Sequence, residues 1–256
     1  MSGISAINGS STNIYGQIAS GSRINSAADD ASGLAISQKM DREVKGLDQG
    51  TQNADEGVKA LNIADGAMAQ VTDSLQRVYE LSVKAANTFM YGDEERKAMQ
   101  DEASALLQDI DDMASRTNYN EKNLLDGGED AIHLATGPDG QGKDIHKLNS
   151  TLEALGLKDF DINSSDAISK ISKAIENVSG QRANAGAETQ ALEYTKNYNN
   201  VAAENTLASK SRLDDLDIPK AVSDKQKQQL LQSYQTLMQK RKQEEEEKRV
   251  LGLFNF

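Results

Sequence analysis

The sequence predicts a mainly α chain: a long antiparallel helical rod, coiled-coil-like in packing, with one small β-hairpin element and with the helices at its two ends paired. Three observations lead there. A seven-residue rhythm of apolar or short side chains runs without a break from Leu47 to Ala85, the signature of a long helix packed along other helices. Both prolines, Pro138 and Pro219, fall in the second half, so residues 1–137 lack the strongest helix breaker. Of 256 residues 37% are hydrophobic, only 4% are aromatic and none is Trp, which suits helices that each bury a narrow stripe better than a broad globular core.

Charge and residue usage narrow the partners. The net charge is −12 with both signs interspersed, against a nucleic-acid backbone as partner, since phosphate binding needs clustered Lys and Arg. Without cysteine, neither disulfides nor thiolate metal sites can form. No apolar run approaches the roughly 18 residues of a membrane span. The N-terminal stretch Met1-Ser-Gly-Ile-Ser-Ala-Ile-Asn has neither a basic nor an apolar leader region, so export would proceed without a cleaved signal peptide.

Taken in order, the first element is weak. Ile4, Ile7, Ile14 and Ile18 form a thin stripe on a Ser- and Gly-rich segment that needs a partner to be helical. From about Arg42 to Met90 the stripe is Leu47, Thr51, Ala54, Val58, Leu61, Asp65, Met68, Thr72, Leu75, Val78, Ser82 and Ala85, a helix of roughly 70 Å at 1.5 Å per residue. Tyr91-Gly92-Asp93 is a turn, with Asp93 as N-cap and Glu94 and Glu95 at the positive helix end. The helix that follows runs to about Thr117, presents Met99, Ala103, Leu106, Ile110 and Met113, and returns antiparallel to its predecessor.

Residues 118–165 are turn-rich, and Ala131–Thr136 and Asp144–Leu148 are the strands of a short hairpin. Helical periodicity resumes at Ser165 with Ile168, Ile171, Ile175, Val178, Ala185, Leu192, Ala202, Ser209 and Leu213, and Asp217-Ile-Pro219 breaks it. A last helix begins near Ser223 with Leu230, Tyr234 and Leu237 on one face. Lys240–Arg249 then offers the pairs Lys240–Glu244, Arg241–Glu245 and Glu244–Lys248, before the apolar ending Val250–Phe256. This divides the chain into an N-terminal helix and linker (1–40), a rod (41–217, with 118–165 as its insert) and a C-terminal helix (218–256).

Motifs that carry chemistry are few. Gly137-Pro-Asp-Gly-Gln-Gly142-Lys143 matches a P-loop spacing, but Asp144 stands where a hydroxyl should reach Mg²⁺, and no βαβ unit surrounds it. Asp159, Asp161, Asn163 and Ser165 alternate like a calcium loop, yet Ser164 replaces its glycine and Lys170 its bidentate Glu. His133 and His146 face one another across the hairpin as a surface pair in this reading. Adjacent Asp29 and Asp30 point apart on a helix and read as capping or contact residues. No catalytic, cofactor or metal site is expected, and the chain is read as a non-enzyme.

Residues 21–36, Gly-Ser-Arg-Ile-Asn-Ser-Ala-Ala-Asp-Asp-Ala-Ser-Gly-Leu-Ala-Ile, closely resemble the signature stretch of bacterial flagellins. The resemblance continues through Gln52–Gly57, Leu75–Val83 and Asn120–Asp126, and returns at Gln181–Ala187 and Glu204–Arg212, in the family's order. It implies a terminal helical domain lining the filament channel, a rod domain above it, and no outer domain. It further implies a secreted, extracellular homo-oligomer forming the filament of a bacterial flagellum, with the flagellar export apparatus, an export chaperone and a cap as partners. Terminal-domain assembly is then expected to involve Ile4, Ile7, Ile14, Ile18, Arg23, Asn25, Asp29, Asp30, Leu230, Tyr234, Leu237, Leu251 and Leu253. In many flagellins the rod segment matching Leu75–Val83, with a carboxylate on the adjacent helix, is bound by host Toll-like receptor 5. Arg77, Leu81 and Glu102 resemble those positions; Tyr79 departs, a basic residue being common there. Compared with typical flagellins the segment before Arg23 is short and Lys240–Arg249 is densely charged. Those ends leave a hook–filament junction protein, a minor flagellin or a non-polymerising helical adaptor as alternatives to the main filament subunit.

Overall fold

The computed structural model describes residues 14–128 and 131–253, with side chains to residue 249. Ile4 and Ile7 lie outside the described residues, as do the side chains of Leu251 and Leu253. A helix at 14–20 (α1) is followed by α2 (Ala31–Ala85) and α3 (Asp93–Arg116). Two short antiparallel pairs come next, β1 (Asn118–Tyr119) with β2 (Lys122–Asn123) and β3 (Ile132–Ala135) with β4 (Gly142–Ile145). Helices α4 (Ala167–Asp214) and α5 (Ile218–Leu253) complete the chain. It divides into two compact units: Val44–Ala203, and the segments up to Glu43 and from Glu204 onward. No described helix is long and apolar enough to cross a membrane.

In the larger unit, α2 buries two heptad rows. Leu47, Ala54, Leu61, Met68, Leu75 and Ser82 form one; Gly50, Gly57, Ala64, Val71, Val78 and Ala85 form the other. The first row and the last two members of the second match the expected stripe. Elsewhere the seam is turned by one residue, leaving Thr51, Val58, Asp65 and Thr72 half-buried at its margin. At Gly50 and Gly57 the reason is glycine, which brings no apolar surface but lets a neighbouring backbone or side chain approach closely. A methyl group built on Gly50 would lie 2.1 Å from the Thr136 carbonyl oxygen, and one on Gly57 would lie 2.6 Å from Leu134 Cδ2. The β3–β4 hairpin therefore docks on the glycine face of α2. Asn53 Nδ2 donates to Ala135 O at 2.6 Å, and the buried Asn199 of α4 donates to Thr136 O at 2.8 Å.

The three long helices of this unit share one core. Arg77 Nε of α2 donates to Glu102 Oε1 of α3 at 2.9 Å, and α4 crosses α2 antiparallel, with Asp65 facing Arg182 and Asp55 facing Lys196. The Lys196 ammonium holds the Asp55 carboxyl below its ordinary range, through a hydrogen bond first and charge second. In α3 the buried stripe is Ala103, Leu107, Ile110 and Ala114; Met99, Leu106 and Met113 pack beside it. Gly92, not Asp93, is the N-cap residue of α3. Asp93 is instead the first helical residue and pairs with Arg96 one turn on.

The β1–β2 pair was not expected. Its loop residues Asn120 and Glu121 both have positive φ, 49° and 65°, the backbone of a two-residue type I′ hairpin, where asparagine is a favoured residue but glutamate is not. Strand β4 begins at Gly142 instead of Asp144: glycine lets the backbone pair with Ala135 where a Cβ would lie 1.7 Å from the Leu134 carbonyl oxygen. The 150–166 segment buries Leu155, Leu157, Phe160 and Ile162. Gln100 clamps it, donating to Phe160 O at 3.1 Å and accepting from Ile162 N–H at 2.7 Å.

In the terminal unit, both helix starts fall earlier than expected. Helix α2 begins at Ala31 because Asp30 caps it: the carboxylate accepts from Gly33 N–H at 2.8 Å and the carbonyl from Leu34 N–H at 2.9 Å. No apolar stripe marks this stretch, since its buried positions are Gly33 and Ser37. Helix α5 begins at Ile218, capped by Asp217, whose carboxylate accepts from Lys220 N–H at 3.1 Å. Pro219 therefore starts the helix instead of only breaking one, since a first turn has no use for its missing N–H. At its other end α2 stops at Ala85, five residues before Met90, and a hydrogen-bonded turn follows.

Candidate assembly surface

Around Gly21 the terminal unit ties its two chain segments together. Gly21 adopts φ +71°, which reverses the chain after α1 at no steric cost. Its carbonyl then accepts from Leu216 N–H at 3.0 Å, and Arg23 N–H donates to Asp214 O at 2.6 Å. Arg23 Nη2 donates to Leu213 O at 2.8 Å, placing a guanidinium on the last carbonyls of α4, where the helix dipole favours a cation. Asp214 accepts from Ser22 Oγ, and from Ser37 Oγ at 3.1 Å. Asn25 Oδ1 accepts from Ser20 Oγ at 2.8 Å. Asp29 receives the N–H groups of Asn25 and Ser26 at 3.1 and 2.9 Å. Arg23, Asn25 and Asp29 are thus held in one hydrogen-bonded turn with Asp30 capping α2 directly after it, and Ile24 is buried.

Helix α1 meets α5 through Tyr15. Lys225 Nζ lies 4.2 Å from the centre of its ring, and Gln229 Nε2 donates to its hydroxyl at 2.8 Å. Ile14 and Ile18 are half-buried on the same helix. From there α5 carries Leu230, Leu231, Tyr234, Leu237 and Met238, spaced as one helical face. Leu230 is 71% exposed, Tyr234 61% and Leu237 54%. A stripe of that size is expensive to leave in water, and such patches mark interaction surfaces. Residues 240–249 are exposed throughout, and none of the three expected i, i+4 ion pairs closes among them. In full solvent the attraction does not offset the entropy of fixing two long side chains.

In the larger unit Arg77 bridges Glu102 and Glu80, with Nη2–Oε1 of 2.8 Å to Glu102 and Nη1–Oε2 of 3.2 Å to Glu80, at a half-exposed position. Leu81 is 2% exposed and belongs to the core. Only Arg77 and Glu102 of that trio offer polar atoms at the surface. Reading apolar stripes alone passes over two further features. Phe89 (93% exposed) and Met90 project from the α2–α3 turn, and Tyr194, Tyr198 and Val201 form an exposed stripe on α4. Their signal in the sequence is apolar residues lying outside the buried helical phase.

The chemical look-alikes resolve into turns and surface pairs. Gly137–Gly142 is the β3–β4 turn, closed by Gly137 N–H to Gln141 O at 2.7 Å, with Gly140 at φ +76°. Asp161 folds onto Asn163 N–H at 2.8 Å, and Lys170 pairs with Asp166 at 3.0 Å. His133 and His146 do not face one another. His133 stands opposite Asp144, with Nδ1 2.6 Å from Oδ1, and His146 Nδ1 lies 3.0 Å from Glu188 Oε1. The Asp144 contact, then the Gly140 carbonyl, raises the His133 pKa above its ordinary 6.5. Among the described residues no three His, Asp or Glu side chains converge as metal ligands.

Comparison with known proteins agrees with this architecture. Residues 1–130 match the model of the bacterial flagellin N-terminal helical region. A flagellar filament 33 kDa core protein of Treponema phagedenis is 37% identical, over 87% of this chain and 85% of its own length. The flagellin of Bacillus subtilis is 32% identical over 89% and 88%. Among solved structures, Bacillus cereus flagellin superposes with a TM-score of 0.52 at 20% identity, over 58% of this chain and 88% of its own.

Proposed function

Because the chain belongs to the bacterial flagellin family, it is a structural subunit of an extracellular flagellar filament and not an enzyme, and we propose that its copies join chiefly through the terminal unit. The observation that carries this is the exposed face of α5 at Leu230, Leu231, Tyr234, Leu237 and Met238. Repeated burial of such a face along a polymer yields a stabilisation that a monomer does not have, at roughly 25 cal/mol per Å² of apolar surface removed from water. The network of Arg23, Asn25, Asp29 and Asp30 serves to hold α1 and the start of α2 against the end of α4, presenting that face in fixed register. Relatives named as filament core proteins favour the filament subunit over a junction protein or an adaptor.

In this reading residues 1–40 and 218–256 serve as the terminal domain and 41–217 as the rod. The subunit is passed unfolded through the flagellar export apparatus, held by an export chaperone beforehand and added under a cap. Ile4, Ile7, Leu251 and Leu253 act with the α5 face in assembly. Electron microscopy after salt-induced polymerisation tests the core of it. Filaments are expected from the full chain and none from a chain ending at Asp217; persistent monomers of the full chain, with helical circular dichroism intact, would sink the reading.

Arg77 and Glu102 also form a surface a Toll-like receptor 5 ectodomain would meet, with Leu81 supporting them from the core. Replacing both with Ala should weaken receptor binding of the monomer; unchanged affinity would remove this surface from consideration.

A further inference from the structure

Building on the filament reading, we propose that an apolar groove in the larger unit receives the Phe89–Met90 turn of a second copy of the chain. The groove has a volume of about 340 Å³ and lies between α2 and the two hairpins, within the roughly 300–1,000 Å³ range of pockets that enclose a small ligand. Ala60 and Ala64 form its floor, and Leu124, Ile132, Leu134 and Leu148 its walls. Gly57 belongs to the same floor; a side chain there would collide with Leu134 and Leu192.

The turn is built to be inserted. Phe89 is almost fully exposed, and Met90 beside it is 68% exposed. Its backbone is already closed, with Ala86 N–H on Ser82 O at 3.0 Å and both Met90 and Tyr91 N–H on Asn87 O at 3.2 Å. Docking therefore costs little ordering entropy. The flanks have complementary charge. Exposed Glu94 and Glu95 follow the turn, and Lys122 lines the groove; the other basic groups there are already matched within the chain, His133 by Asp144, His146 by Glu188 and Lys147 by Asp126. Among the described residues Lys122 makes no ion pair.

A copy cannot fill its own groove. Gly57 and Ala85 lie on one continuous helix, so roughly 40 Å of helix separates the floor from the turn. An open-ended homopolymer also requires two different, mutually complementary patches on each subunit, and turn and groove are such a pair.

The test uses the absence of native cysteine. Phe89→Cys and Lys122→Cys chains are prepared separately, mixed, polymerised with salt and mildly oxidised. Disulfide-linked dimers are expected from the mixed polymer, and a ladder of higher multimers from the doubly substituted chain. Phe89→Ala should raise the critical concentration for polymerisation severalfold, with Phe89→Leu recovering most of it. Lys122→Glu should weaken assembly and the added pair Glu94→Lys, Glu95→Lys should restore it. Normal polymers that give no link in the mixture, or Phe89→Ala polymerising like the unsubstituted chain, would overturn the contact and leave the filament reading standing. Failure of the unsubstituted chain to polymerise would overturn both.

Discussion

Gly50 and Gly66 lie on the same helix, yet alanine should act oppositely at the two. At Gly66 nothing lies within 4 Å of an added methyl, so Gly66→Ala should stabilise the larger unit by about 0.5–1 kcal/mol through helix propensity. At Gly50 the methyl meets the Thr136 carbonyl, and overpacking of about 1–3 kcal/mol outweighs the same gain. Urea midpoints should therefore move up for Gly66→Ala and down for Gly50→Ala. Asn199→Leu removes the donor to Thr136 O and leaves that carbonyl unmet in a buried site, a loss of about 1–3 kcal/mol. His133 adds a pH dependence to the hairpin. Its folded pKa is raised by Asp144, so protonation favours the folded hairpin. That contribution is complete below the ordinary value of 6.5 and is lost as pH rises through the folded pKa. An NMR titration should find the imidazole titrating above 6.5 and returning toward it in Asp144→Asn.

At the scale of elements, the helix starts matter most. Asp30 and Asp217 each hold the first turn of a helix in the terminal unit. Asp30→Ala or Asp217→Ala should cost about 0.5–2 kcal/mol, read as faster amide exchange in the first turns of α2 or α5 with α3 unchanged. Asn53 and Asn199 play a similar part for the β3–β4 hairpin, each taking one carbonyl where β3 ends. A strand pair this short is marginal alone; its position comes from the helices under it.

For the whole molecule, assembly and folding should separate. Leu230→Glu and Leu237→Glu change exposed positions on α5, so circular dichroism should stay helical while polymerisation is lost. Subunits with a net charge of −12 repel one another, and that repulsion is screened beyond about 8 Å at 0.15 M salt. The critical concentration should therefore fall as salt rises, more steeply than in a variant with Glu244–Glu247 changed to Gln.

Much of this was legible in the chain itself. The heptad rhythm of Leu47, Ala54, Leu61, Met68 and Leu75 required a long packed helix, because side chains seven residues apart share a face. The turn residues of 137–142 placed the hairpin for an equally local reason. What the tertiary structure decided was which neighbour each face meets. Gly50, Gly57 and Gly33 add nothing to an apolar pattern, yet they lie on buried faces, because the closeness of the Thr136 backbone, of the Leu134 and Leu192 side chains, and of the Asp30 and Ile24 side chains, and not hydrophobicity, selects them. Asp30 and Asp217 start their helices ahead of the apolar stripes that announced them, Leu81 lies in the core, and Phe89 stands exposed. Each of these depends on residues distant in sequence, and a local pattern holds no record of what the fold brings beside it.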